Sequence, residues 1–134
     1  MNGNTTQIGR YGEDLAAAHL IEQGFSITRR NFRVGHNEID IIAENETHII
    51  FVEVKSRSVI DPDHHSRYGR PGRAVTYGKK ERTLAAARYY LHTHPVAKRA
   101  RMDVIELYLE KSENENHVPK LLKLVWTKNA YRKH

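Results

Sequence analysis

Residues 38–55 read Glu38-Ile39-Asp40-Ile41-Ile42-Ala43-Glu44-Asn45-Glu46-Thr47-His48-Ile49-Ile50-Phe51-Val52-Glu53-Val54-Lys55. Two runs rich in β-branched residues flank a short polar break, the pattern of two strands joined by a tight turn. A two-residue turn at Asn45-Glu46 pairs Glu44 with Thr47, so that opposed residue numbers sum to 91. In that register Glu38 faces Glu53 and Asp40 faces Phe51. Side chains alternate across a strand, so Glu38, Asp40, Ile42, Ile49, Phe51, Glu53 and Lys55 are expected on one face. Ile39, Ile41, Ala43, Ile50, Val52 and Val54 share the other, which is wholly apolar and belongs to the core. The first face is apolar near the turn and charged at its far end, the outline of a sheet surface that opens into a cleft.

Gathering acids there has a cost. Two carboxylates about 5 Å apart repel by roughly 3 kcal/mol at an effective dielectric near 20, and partial burial disfavours each ionised form further. A divalent cation offsets this. Mg²⁺ is hard, prefers oxygen and is commonly held by one or two carboxylates, with water and substrate phosphate completing its shell. Lys55, on the same face, is placed to orient or deprotonate an attacking water, or to steady the charge that develops on a phosphate. The competing reading is an exposed ladder in which Lys55 only pairs with an acid. The fully apolar opposite face, and Ile42, Ile49 and Phe51 beside the charged end, favour the site. Strand geometry alone leaves Glu38 and Asp40 both open as the first metal ligand.

Asp40 followed by Glu53-Val54-Lys55 resembles the acid, then acid-x-lysine signature of the endonuclease-fold superfamily, which includes restriction enzymes and archaeal Holliday-junction resolvases. A wider set of motifs resembles the YraN-like family of small bacterial proteins. These are Gly12-Glu13, Asn31-Phe32-Arg33, Glu38 to Ala43, Phe51 to Arg57, Ala74-Val75 before Lys79, and Arg101-Met102-Asp103-Val104. The resemblance runs from about Gly9 to about Ile105; Asn37 stands where the family usually has glycine. It implies a restriction-endonuclease-like α/β fold with Asp40, Glu53 and Lys55 in the catalytic positions and Glu13 as an accessory acid. It selects Asp40 over Glu38 as the metal ligand, leaving Glu38 as a neighbour that tunes the site or meets nearby basic residues. It also makes a homodimer plausible.

The chain has 134 residues and no cysteine, enough for one domain over 1–134 and excluding disulfides, thiolate metal sites and thiol nucleophiles. No apolar run is long enough to span a bilayer, and the polar start lacks the apolar centre of a secretion signal, so a cytoplasmic location without membrane association is expected. Charge is uneven. Residues 1–57 carry a net −2, residues 58–101 a net +7 and residues 102–134 a net +1. The basic stretch directly follows the proposed catalytic strand, where a polyanion would lie. A solvated basic loop is the bland alternative.

Along the chain, Gln7 to Gln23 reads as a helix with Thr5 or Thr6 as N-cap and Gly24 as terminator. Glu13 lies on a stripe with Ala16, Ala17 and Leu20, an unexpected place for a glutamate. Phe25 to Phe32 is the first strand. Ser58 to Gly72 has the composition of a mobile basic loop; its His64-His65 pair lacks partners for zinc, whereas Arg67, Tyr68, Arg70 and Arg73 suit a flap over nucleic acid. A second helix runs from Tyr77 or Gly78 to Leu91 with Leu84, Ala87 and Leu91 inward. Strands follow at Arg101–Leu109 and Leu121–Trp126. Strand, helix, strand from Ile49 to Leu109 is a βαβ unit with parallel strands. Asp103 is read either as an organiser of the site or as a structural partner of Arg101.

The resulting expectation is a single α/β domain, a mixed central sheet flanked by helices in the order α-β-β-β-α-β-β. Its function is that of a Mg²⁺- or Mn²⁺-dependent nuclease acting on DNA. Asp40, Glu53 and the Val54 carbonyl hold metal, and Arg57, Arg67, Arg70, Arg73, Lys79, Lys80 and Arg82 contact nucleic acid. The alternatives are a non-catalytic nucleic-acid-binding module of the same fold and a scaffold for a protein partner.

Overall fold

The structure, a computed structural model, describes residues 3–59, 77–111 and 118–131. The elements are α1 (Gly3–Glu22), β1 (Ser26–Val34), β2 (Asn37–Glu44), β3 (His48–Val59), α2 (Tyr77–Thr93), β4 (Arg99–Glu110) and β5 (Leu121–Thr127). The strands lie in one sheet in sequence order. All neighbours are antiparallel except β3 and β4, which the α2 crossover makes parallel. The α/β class and element order are those expected from sequence.

The two helices cover opposite faces of the sheet. Ala16, Ala17 and Leu20 of α1 pack on Ile41, Ala43, Ile50, Val52, Ile105 and Leu107. Ala86, Ala87 and Tyr90 of α2 pack on Phe32, Ile39, Ile42, Ile49, Phe51 and Met102. Ile49 and Phe51 therefore sit in a core of their own, so the face expected to begin under packing is fully covered at this end. The inward stripe of α2 is Thr83, Ala86, Ala87 and Tyr90, one helical face at i, i+3, i+4 and i+7; Leu84 and Leu91 flank it half-buried.

Local chemistry sets the boundaries. α1 already runs from Gly3, so Thr5 and Thr6 lie within its first turn instead of preceding it. It ends as a Schellman motif: Phe25 N–H donates to the Leu20 carbonyl and Gly24 N–H to that of Ile21, both at 3.0 Å, with Gly24 at φ +94°. β3 continues through Val59, so the expected loop loses its first two residues to the sheet. The rest of that loop, with His64, His65, Arg67, Tyr68, Arg70 and Arg73, lies outside the described residues.

The hairpin register differs from the expectation by two residues, which preserves the parity of facing pairs. Ile41 faces Val52, Ile42 faces Phe51, Ala43 faces Ile50 and Glu44 faces Ile49, so opposed numbers sum to 93 rather than 91. Asn45 is the reason. Its Oδ1 accepts from the Thr47 and His48 amides at 2.9 and 2.8 Å, and its own N–H donates to the His48 carbonyl at 3.0 Å. Asn45 thus flanks the turn, as asparagine does when its side chain mimics a backbone acceptor, and Glu46-Thr47 form the tip. Continued one step, this register brings Asp40 opposite Glu53.

Candidate functional site

The site lies where β2 and β3 part. Their pairing stops at Ile41–Val52, and beyond it the Val54 N–H donates to Asp40 Oδ2 at 2.8 Å. The strands also change facing here. Ile41 packs on the α1 side and Ile39 on the α2 side, although strict alternation would keep them together. Across β1 the same reversal separates Arg30, bonded to Glu13 and Asp14 of α1, from Phe32 in the α2-side cluster. Between them Asn31 has φ +55°, the left-handed conformation that asparagine tolerates better than most residues. Asn31 and Asp40, between the Arg30–Ile41 and Phe32–Ile39 pairs, therefore form a paired irregularity that re-aims both side chains without a change of register.

This corrects the single-face assignment. Asp40 turns towards α1 and lines a cleft of about 500 Å³ with Glu13, Asn31, Glu38, Val54 and Ser56. Glu53 and Lys55 keep the opposite parity and meet α2. The acids nevertheless interact across the fork: burial first, then the Glu53 charge, pushes the Asp40 carboxyl up to about 7, with the Val54 hydrogen bond opposing and the Glu13 charge adding.

Glu53 is only 3 % exposed, and two ammoniums meet at its Oε2, Lys79 at 2.6 Å and Lys55 at 3.3 Å. Burial lowers the Lys79 pKa, but its hydrogen bond to Glu53 and the charges of Glu53 and Asp40 together outweigh this and leave it raised. Glu13 Oε1 accepts from Arg30 Nη2 at 2.9 Å, Arg30 Nε at 3.1 Å and Asn31 Nδ2 at 3.2 Å, which holds it at the cleft wall. Gly12, next to it, lets α1 approach β3: a Cβ there would overlap the Ser56 hydroxyl. Glu38 pairs with Arg33 at 2.7 Å, a basic partner at the cleft rim.

The other basic candidates divide. Lys80 lies over the Tyr131 ring at 5.8 Å, and Arg82 is exposed on α2. Arg57 is largely buried, 3.8 Å from the buried Glu106 and beside Tyr108, so it faces an internal acid rather than open surface. Asp103 is fully buried and structural. It accepts from Arg101 Nε and Nη2 at 2.9 Å, Trp126 Nε1 at 2.8 Å and the Asn129 amide at 2.9 Å, clamping the turn that follows β5.

That turn brings in a residue the sequence did not flag. Tyr131 packs against the α2-side core, its hydroxyl enclosed near Thr83, and burial pushes its pKa up to about 12, the charges of Glu53 and Asp40 adding to the effect. No local pattern connects Tyr131 to a hairpin so distant in sequence.

The donor set suits a hard cation in one respect and restricts it in another. Asp40 and Glu53 offer carboxylate oxygen beside the Val54 backbone. Among the described residues no three His, Asp or Glu side chains converge as a ready-made metal cage. Two carboxylates completed by backbone, water and phosphate is the Mg²⁺ pattern rather than the Ca²⁺ or Zn²⁺ one. No helix of the described residues is long and apolar enough to cross a membrane.

Comparison with known proteins agrees with the motif resemblance. A family model described as "Uncharacterised protein family UPF0102" matches residues 12–107. A UPF0102 protein of Clostridium perfringens is 39 % identical over 128 residues, covering 93 % of each chain. One of Chloroherpeton thalassium is 39 % identical over 114 residues, 84 % of this chain and 83 % of the relative. One of Caldicellulosiruptor bescii is 36 % identical over 113 residues, 83 % and 90 % respectively.

Proposed function

We propose that this chain, which belongs to the UPF0102 family, is a metal-dependent nuclease that binds DNA and hydrolyses phosphodiester bonds. The observation that carries the reading is the fork: Asp40 and Glu53, from two strands, lie close enough that the Glu53 charge adds to burial in raising Asp40 to about 7, with Lys55 beside Glu53. A protein gains nothing in stability from holding a buried and a half-buried acid together, so the arrangement points to a cation and to chemistry.

In this reading Asp40 and Glu53 hold Mg²⁺ or Mn²⁺ with the Val54 carbonyl. The cation supplies Lewis acidity to the phosphoryl group and a more acidic bound water. Lys55 orients that water or faces the developing phosphate charge. Glu13, fixed by Arg30 and Asn31, shapes the cleft wall. Lys79, Lys80 and Arg82 bring positive charge from α2 for the polyanion, and Arg67, Arg70 and Arg73 are proposed to add to it.

A specific observation supports a second reading. Glu53 is already neutralised by Lys55 and Lys79, which also suits a nucleic-acid-binding module of the same fold that does not cleave. The deciding experiment incubates the protein with labelled linear, flapped and four-way DNAs in Mg²⁺, Mn²⁺ and chelator. Metal-dependent cleavage lost in Asp40→Asn and Lys55→Ala supports the nuclease. Retention of every DNA intact, with binding preserved, supports the module.

A further inference from the structure

Two lysines reach the same oxygen of Glu53 by different routes. Lys55 is two residues along β3 from Glu53, on the same face of the strand, so it remains near whatever Glu53 binds. Lys79 comes from the first turn of α2, closer at 2.6 Å, with its side chain 37 % exposed. Its position is otherwise unfavourable. The first turn of α2 holds no acidic residue, and the amide ends of a helix N-terminus repel ammoniums and attract phosphate. Glu53 is what draws Lys79 inward. Any divalent cation taken up by Glu53 brings two positive charges against that ammonium, and the flexible, solvent-accessible stem of Lys79 starts from the α2 terminus, where a displaced ammonium meets whatever phosphate lies there, whereas Lys55 starts from the strand that carries Glu53.

We propose that Lys79 is an exchangeable counter-ion: it neutralises Glu53 until a divalent cation binds there, and is then released to a DNA phosphate. Cation and DNA thereby bind with positive coupling through one side chain, and the reciprocity of linkage requires each to tighten the other. The inference rests on the metal-dependent reading above, and adds that metal loading is tied to substrate. Without DNA, Lys79 competes with the cation for Glu53; with DNA, a phosphate at the α2 terminus takes Lys79 and frees the acid.

The test is calorimetric titration of Mn²⁺ into wild type, Lys79→Gln and Asp40→Asn, each with and without a DNA duplex whose linkages resist hydrolysis. Wild type is expected to bind Mn²⁺ about five-fold or more tightly when DNA is present. Lys79→Gln is expected to bind Mn²⁺ more tightly than wild type by a similar factor without DNA, and to show no further gain when DNA is added. Thermal denaturation of each variant confirms that the fold is intact. If Asp40→Asn abolishes Mn²⁺ binding while Lys79→Gln binds it as wild type does under both conditions, the counter-ion exchange is overturned and the metal site stands. If wild type itself takes up no Mn²⁺, both readings fall.

Discussion

The Val54 amide donates to Asp40 Oδ2 at 2.8 Å, so a side chain receives an amide that lies beyond the last β2–β3 backbone pair. The acid proposed as a metal ligand is thus also what finishes the hairpin, and its two roles separate by substitution. Asparagine keeps an acceptor for Val54 and removes the charge repelled by Glu53 and Glu13; alanine removes the acceptor as well. Asp40→Asn is expected to be as stable as wild type or more so in chelator, and to lose Mn²⁺ binding. Asp40→Ala should cost about 1–3 kcal/mol for the unsatisfied amide. Urea unfolding of the two variants measures the difference, and equal stabilities would show that the hydrogen bond does not matter.

Stability should depend on pH through Asp40 in an unusual direction. Its carboxyl titrates at about 7 in the folded protein against 3.8 ordinarily. The folded state therefore binds more protons than the unfolded one between those values, and stability falls as pH rises through that window. The Asp40 contribution is most favourable below the unfolded value and is lost as pH passes 7. The wild-type stability minus that of Asp40→Asn, measured in chelator, should decline from pH 4 to pH 7. A flat difference would contradict the raised value.

Asp103 should be a stability residue and not a catalytic one. Asp103→Ala leaves the largely buried Arg101 without its carboxylate and frees the Trp126 and Asn129 donors, a loss of about 3–5 kcal/mol. Asp103→Asn should cost less, since one oxygen still accepts. Denaturant unfolding reads both. An alanine variant as stable as wild type would show that the clamp holds nothing.

Close approach of α1 to β3 depends on Gly12. Gly12→Ala drives a methyl into Ser56 and should destabilise by roughly 1–3 kcal/mol. Gly12→Ala with Ser56→Gly should cost less than the two single changes added together, because the second makes room for the first. Strict additivity in a double-mutant cycle would mean that the two positions are not in contact.

DNA affinity should fall steeply with salt if α2 faces the phosphates. Neutralising Lys79 and Lys80 together should weaken binding to unrelated duplexes by similar factors and reduce the slope of log K against log salt by up to roughly two units, at about 0.9 per contact. Lys111 and Lys120, exposed near the far end of β4, should matter much less. Equal effects of the two double substitutions would reduce α2 to ordinary surface.

The sequence by itself determined the element order, the mixed sheet with its parallel β3–β4 pair, and the residue types at the fork. Each of these rests on short-range information: β-branched runs, a glycine after a helix, an acid followed two residues later by a lysine. The turn was legible only approximately. Asn45 reads as a turn residue, but whether its side chain caps the turn from the flank or sits at the tip depends on which pairing packs Ile42 and Phe51 under α2. The paired reversal at Asn31 and Asp40 had a signal in asparagine's tolerance for positive φ, yet nothing local says that the strand opposite must turn with it. Lys79 on Glu53, the Asp103 clamp and the arrival of Tyr131 beside the acids were decided only by the tertiary structure. They join residues far apart in the chain, and a buried charge takes as its partner whichever opposite charge or donor the packing of helices on the sheet brings within reach.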